Sequence, residues 1–235
     1  MSSVRSRPIS EGILPSAARL LAQFYGLPAK PGPVEDWKTL VRVVLEVGRS
    51  PRKPRDWSWI SETPLRNPDE TCLHSVAGLA EVLEAVDQPA AKAHLLHALA
   101  EWWQRRIGDV SNATGAFTTR SVDSWQDDLR AIPGVNWELA DRILLFVGGC
   151  TVYPLDRGSM RIAARHGWME ISSEYDDWQS FFTTVAKETA FDLGQLSRWN
   201  SGVARDFCKA QPHCDDCPLK SLLPARGVVS LDECE

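Results

Sequence analysis

The stretch Leu129-Arg-Ala-Ile-Pro-Gly-Val-Asn-Trp-Glu-Leu-Ala140 decides how this chain of 235 residues is read. It predicts a helix ending near Ala131, a tight turn over Pro133, Gly134, Val135 and Asn136, and a second helix beginning at Trp137. Gly134 supplies backbone freedom and lets a partner come close. Asn136 tolerates left-handed geometry and can cap the helix that follows. Successive backbone N–H groups at such a turn, with a helix dipole behind them, form an anion site that suits a DNA phosphate and carries no base readout. Taken alone, the segment reads equally as a plain connection between two helices.

Outward from the turn, apolar residues recur at helical spacing. Trp37, Leu40, Val41, Val44 and Leu45 line one face, and Val76, Leu79, Val82, Leu83 and Val86 another, with Ser75 as N-cap. The pattern predicts helices over 35–47, 75–86, 89–103, 122–131, 138–147, 159–166 and 176–190, preceded by an N-terminal helix. Alternating polar and apolar runs are scarce, so the expected fold class is all-α. Pro and Gly mark loops at 26–32, 51–68, 108–115 and 148–154. The stretch 49–69 is long for a loop in a compact domain, which points to a functional segment. Residues 1–10 and 225–235 read as frayed ends, and no internal repeat is present.

Hydrophobic residues make up 43% and charged residues 24% of the chain, an ordinary globular composition that argues against general disorder. No apolar run reaches the roughly 18 residues of a membrane span. The start, MSSVRSRPISEG, has basic residues with no apolar stretch behind them, so a secretory signal is not expected. A net charge of −5 means that DNA binding would rest on a local patch. One such patch is Arg49, Arg52, Lys53 and Arg55, which also reads as a solvated loop. Without a signal peptide the expected compartment is the reducing cytoplasm, so the six cysteines do not read as a disulfide framework. Cys72 and Cys150 read as core thiols. Cys208, Cys214, Cys217 and Cys234 crowd the last 28 residues and call for another explanation.

The hairpin is followed by Tyr153-Pro-Leu-Asp-Arg-Gly-Ser-Met-Arg-Ile-Ala-Ala-Arg-His166. Hairpin, aspartate and cysteine cluster in this order resemble the endonuclease III branch of the helix-hairpin-helix DNA glycosylase superfamily. There the hairpin reads Leu-Pro-Gly-Val-Gly-x-Lys-x-Ala, and the essential aspartate opens the next helix in Val-Asp-x-x-x-x-Arg. Residues 132–140 and 155–161 match, with Asn136 in place of the second glycine, and the resemblance covers about residues 30–224. It implies two helical domains (30–150, and 1–29 with 151–235) with a groove between them, Asp156 at its mouth close to Glu138. It also implies double-stranded DNA as partner, with a base flipped from the stack.

By its position Asp156 is an N-cap that accepts the Gly158 or Ser159 amide; in the family this carboxylate helps water attack the sugar and stabilises oxocarbenium charge. The wedge position maps onto Gln88, and a second gap-filling position falls near Gly48 or Arg49. Where bifunctional members place the imine-forming lysine, this chain has Glu138, so lyase chemistry does not carry over; Lys92 is a weaker candidate amine. Glu138 reads either as an acid complementing the helix dipole or as a general acid beside ionised Asp156. The family's Cys-x6-Cys-x2-Cys-x5-Cys, which holds a [4Fe–4S] cluster, becomes Cys208-x5-Cys214-x2-Cys217, with Leu223 or a neighbour at the fourth place. Cys234 is a candidate fourth ligand and His213 a less favoured one, with zinc or no metal as alternatives. Gly134, Val135, Asn136, Gln88 and Arg49 are the candidate DNA contacts, with Arg157, Arg161 and Arg165 as further phosphate contacts. Trp137 could lie near DNA, although a packed core tryptophan is the simpler expectation. The expected activity is that of a DNA glycosylase in base-excision repair, without strand cleavage; the alternative is a non-catalytic DNA-binding relative.

Overall fold

The computed structural model describes residues 12–27, 36–47, 56–108 and 113–230. Helices α1 (Ile13–Tyr25), α2 (Asp36–Glu46), α3 (Pro68–Leu73), α4 (Val76–Val82), α5 (Pro89–Arg106), α6 (Ala113–Phe117), α7 (Val122–Arg130), α8 (Trp137–Phe146), α9 (Arg157–Arg165), α10 (Tyr175–Glu188) and α11 (Leu193–Asp206) make up the fold. Among the described residues there is no strand, only an isolated bridge between Cys208 and Pro212. The all-α expectation holds. The chain packs as two units, Lys30–Pro154 and Met1–Ala29 with Leu155–Glu235.

In the unit Lys30–Pro154 the apolar faces of α2, α5, α7 and α8 share one core containing Leu40, Val44, Leu96, Leu99, Leu129 and Ile143. Aromatic rings fill its wider gaps. Phe117 and Trp125 lie 5.0 Å apart and Trp102 and Trp125 6.1 Å apart, while Trp37 meets Trp103 edge-on at 5.6 Å. Three of the buried indole N–H groups find acceptors in the core: Trp37 donates to Leu65 O, Trp102 to Asp128 Oδ2 and Trp125 to Phe117 O. Truncating one of these rings to alanine would cost about 3–5 kcal/mol. Lys92, 7% exposed, donates its ammonium to Leu45 O at 2.9 Å, tying the start of α5 to the last turn of α2.

Within the expected long loop of 49–69, residues 58–69 are largely ordered into helical turns. Two 3-10 turns, Ser58–Glu62 and Pro64–Arg66, run directly into α3. They form because Ile60 and Leu65 are fully buried, and because Pro64 and Pro68 each sit where a helical turn begins. Residues 48–55 lie outside the described ones. The loop of 108–115 is likewise shortened by α6, whose first amide, at Ala113, is held by the Asp36 carboxylate. Helix α4 stops at Val82 although the apolar periodicity runs on, since Leu83 and Val86 reach the core from turns.

In the other unit, α1, α9, α10 and α11 enclose Leu14, Leu21, Ile162, Phe181, Phe182, Leu196 and Val203. Helix α11 was not among the predicted helices, yet its signal is in the sequence. Asp192 and Gln195 form a reciprocal capping box, and Leu193, Leu196, Trp199 and Val203 follow at helical spacing. Cys72 and Cys150 are half-buried against the core of their unit rather than inside it, and burial pushes both thiols up.

Candidate functional site

The hairpin forms through main-chain geometry. Helix α7 ends at Arg130, the Val135 N–H returns to Ile132 O at 3.0 Å, and Gly134 takes φ +92°, a left-handed conformation that favours glycine. Asn136 stays extended (φ −96°) and its Oδ1 accepts the Leu139 N–H at 2.9 Å, capping α8. Val135 is itself buried at 8% exposure, and its amide serves the turn. The turn amides open to a phosphate are therefore those of Gly134 and Asn136, not that of Val135.

Trp137 departs from the core expectation. It is 41% exposed, and the Arg130 guanidinium lies 3.4 Å from its ring centroid across the hairpin. Trp137 shares a helix face with the buried Ala140, Asp141 and Leu144, so periodicity favours burial, but as the first residue of α8 it lies at the end of that face. Glu138, at the lyase-lysine position, is ion-paired with Arg142 one turn on, Nε to Oε1 3.0 Å. The i,i+4 spacing of the pair was readable in the sequence. On the same helix Asp141 is completely buried and accepts Gln126 Nε2 at 2.7 Å.

Gln88 is exposed and forms the N-cap of α5 without a side-chain cap bond. Its φ of +56° makes it the one non-glycine residue with positive φ among the described residues. A left-handed, β-carbon-bearing residue at the head of an 18-residue helix stores local strain of the kind that collects at functional positions. Arg49 lies outside the described residues. Lys92, with its amine buried on Leu45 O, is not placed to form an imine.

Asp156 belongs to the other unit and caps α9, its Oδ1 accepting the Ser159 N–H at 2.6 Å. The neighbouring Gly158 is required by space. A β-carbon there would stand 2.7 Å from Ala204 Cβ of α11 and 3.0 Å from Asp156 Oδ1. Glycine thus lets α11 pack against the first turn of α9 while leaving room for the carboxylate. Sequence reasoning offered Gly158 only as a possible amide donor to Asp156 and missed its packing role, whose signal was a glycine two residues after an N-cap, inside a helix where glycine costs about 1 kcal/mol.

The far end of α9 corrects the expectation that Arg161 and Arg165 contact phosphate. Arg161 Nε donates to Cys208 O at 2.7 Å. Arg165 is buried, with its guanidinium on Cys208 Sγ at 3.4 Å, on Lys209 O, and on Ala210 O at 2.8 Å. Arg157 is exposed and remains available. His166, also buried, sets Nδ1 2.8 Å from Ile162 O and Nε2 3.3 Å from Leu219 O; burial pushes its pKa down, and these two carbonyls, which favour the doubly protonated ring, oppose the shift.

A small pocket in this segment is bordered by Phe207, Cys208, His213, Cys214, Cys217 and Leu223. Burial pushes the Cys214 and Cys217 thiols up, and the neighbouring cysteines add to it. Among the described residues, no three His, Cys, Asp or Glu side chains are grouped to hold a metal ion. Leu223, standing where the family has its fourth cysteine, lines the pocket instead. Cys234 lies outside the described residues. The described donors do not fit a four-thiolate iron–sulfur cluster.

Comparison with known proteins places this arrangement. No family model matches the chain. Over 117 residues, 49% of the chain, it is 31% identical to an endonuclease III of Sulfolobus acidocaldarius, spanning 52% of that protein. In structure it is similar to a thermostable thymine-DNA glycosylase (TM-score 0.62, 10% identity, 94% of this chain and 97% of that one). It is also similar to endonuclease III in a non-covalent DNA complex (TM-score 0.62, 18% identity, 89% and 93%). The fold is therefore that of the helix-hairpin-helix DNA glycosylase superfamily. In sequence the chain is similar to endonuclease III, and it spans about half the length of the relative it matches. No helix among the described residues is long and apolar enough to cross a membrane.

Proposed function

We propose that this protein is a DNA glycosylase of base-excision repair that releases a damaged or mismatched base from double-stranded DNA by hydrolysis, without cutting the strand. The observation that carries the reading is Asp156. Its carboxylate is oriented by the Ser159 amide at 2.6 Å and given room by Gly158. A fixed negative charge of this kind stabilises the oxocarbenium-like sugar as the base departs, and can assist the attacking water. The hairpin amides of Gly134 and Asn136 position the DNA through a backbone phosphate, which fixes register without reading sequence. Gln88, exposed and held left-handed, serves as the wedge that fills the stack when a base is flipped out.

Glu138 supports hydrolysis over strand cleavage. A carboxylate paired with Arg142 offers no amine for a Schiff base. Proton donation from Glu138 to the leaving base is a separate role, and substitution by glutamine isolates it. A second reading, a DNA-binding protein without chemistry, is favoured by the net charge of −5 and the missing amine.

Duplexes carrying single lesions or mismatches, incubated with the protein and then treated with alkali, test all of this. Nicks that need alkali indicate the proposed glycosylase. Nicks that form spontaneously indicate a lyase, and retained binding with neither indicates the second reading.

A further inference from the structure

We infer that the C-terminal segment 207–230 is clamped to α9 by arginine side chains and does not depend on a metal cluster for its fold. Three residues at the end of α9 reach three separate parts of the segment. Arg161 and Arg165 bind the consecutive main-chain oxygens of Cys208, Lys209 and Ala210. His166 bonds Leu219 O, and Arg165 O in turn accepts the Val229 N–H at 2.9 Å. The segment is thus tied at its beginning, middle and end to a single stretch of helix. A planar guanidinium suits this task, because its forked donors engage several carbonyls at once and offset the cost of burying the charge.

The cysteines take a different part. Cys208 Sγ accepts from Arg165, which draws that thiol into the clamp. Leu223, at the place of the family's fourth cysteine, lines the same pocket as Cys208, Cys214 and Cys217 and offers no donor there. Leu219, fully buried, anchors the segment by ordinary packing. Helix α9 begins at the Asp156 cap, so the clamp also fixes the far end of the helix that carries that carboxylate. The clamp is read from stability and metal content, so it stands or falls independently of the glycosylase reading.

The full chain is to be expressed with iron supplied, purified without oxygen, and analysed for iron, zinc and acid-labile sulfide. Far less than one metal atom per chain is expected. Cys214→Ser should leave Tm within about 2 °C of wild type, the range of an ordinary peripheral substitution. Arg165→Met should lower it by roughly 4–8 °C, because several buried carbonyls lose their donor. If Arg165→Met yields no folded protein, Arg161→Met, which removes one bond to the same loop, is read instead, with a drop of about 2–4 °C expected. Stoichiometric iron or zinc that Cys214→Ser removes would overturn the inference. So would a Tm that falls with Cys214→Ser and is unmoved by the arginine variants.

Discussion

The hairpin at 129–140 and the segment at 207–230 each resemble a recognisable motif, and they hold their shapes by different means. In the hairpin the shape is carried by main chain: Gly134 at φ +92°, the Val135 amide on Ile132 O, and the Asn136 cap on α8. Side chains around it engage one another instead, with Trp137 exposed on Arg130 and Glu138 paired with Arg142. In the C-terminal segment the motif is a count of side-chain donors, and Leu223 at one position leaves the described set short. There the shape is held by other side chains, Arg161, Arg165 and His166. A motif made of backbone geometry needs glycine at one left-handed position, whereas a motif made of a donor set needs a donor at each of its positions.

The largest effect is expected at Asp156, which lies between the two regions in the sequence. Asp156→Asn keeps the cap but removes its charge. DNA binding should persist while base release falls by roughly 10²–10⁴-fold, the usual worth of a positioned acid–base or electrostatic group. Single-turnover excision followed by alkali measures it, and unchanged release would remove Asp156 from the chemistry.

Gly134→Val tests whether the hairpin acts through its backbone. The left-handed φ is costly for a β-branched residue, by about 1–3 kcal/mol. Affinity should drop by roughly 10-fold for all sequences alike, because the turn amides meet a backbone phosphate that every sequence shares. A weakening confined to particular sequences would show base readout instead. Binding should also be salt-sensitive, with a log–log slope shallower than the roughly −3.6 of four neutralised phosphates. Two arginines that sequence suggested for DNA, Arg161 and Arg165, are engaged by the C-terminal segment.

Glu138 sharpens the comparison from the hairpin side. Glu138→Gln breaks a partly exposed ion pair, costing about 0.2–1 kcal/mol of stability and leaving the excision rate unchanged. A fall in rate with loss of the alkaline limb of the pH profile would assign Glu138 as the general acid. Glu138→Lys places an amine beside Arg142, and a neighbouring cation activates such an amine for imine formation. Alkali-independent nicking with a borohydride-trapped adduct is the expected gain, and its absence would show that this position does not reach the sugar.

The smallest effect concerns pH and falls on the C-terminal side alone. Burial lowers the pKa of His166, so folding disfavours its protonated form. Its contribution to stability is complete above the ordinary histidine value of about 6.5 and is lost as pH falls through the lower folded value. Thermal melts of wild type and His166→Gln across that range should show the decline in the first and its reduction in the second. Equal declines would place the sensitive group elsewhere.

The sequence by itself determined the helical class, the hairpin turn, and the caps at Asn136 and Asp156, because these depend on residues within one or two turns of each other. It also carried Glu138 in the lyase position and a cysteine series with Leu223 at its fourth place. Only the tertiary structure decided what those residues touch. Trp137 is exposed although its helix face packs, because it stands at the first position of α8, and Gly158 matters because α11, some 46 residues on, approaches within 2.7 Å of its absent β-carbon. Arg161 and Arg165, basic residues that local chemistry assigns to phosphate, turn inward because carbonyls more than 40 residues away need donors. Short-range hydrogen bonding is written in neighbouring residues, whereas the fate of a buried charge is set by whichever distant segment packs over it.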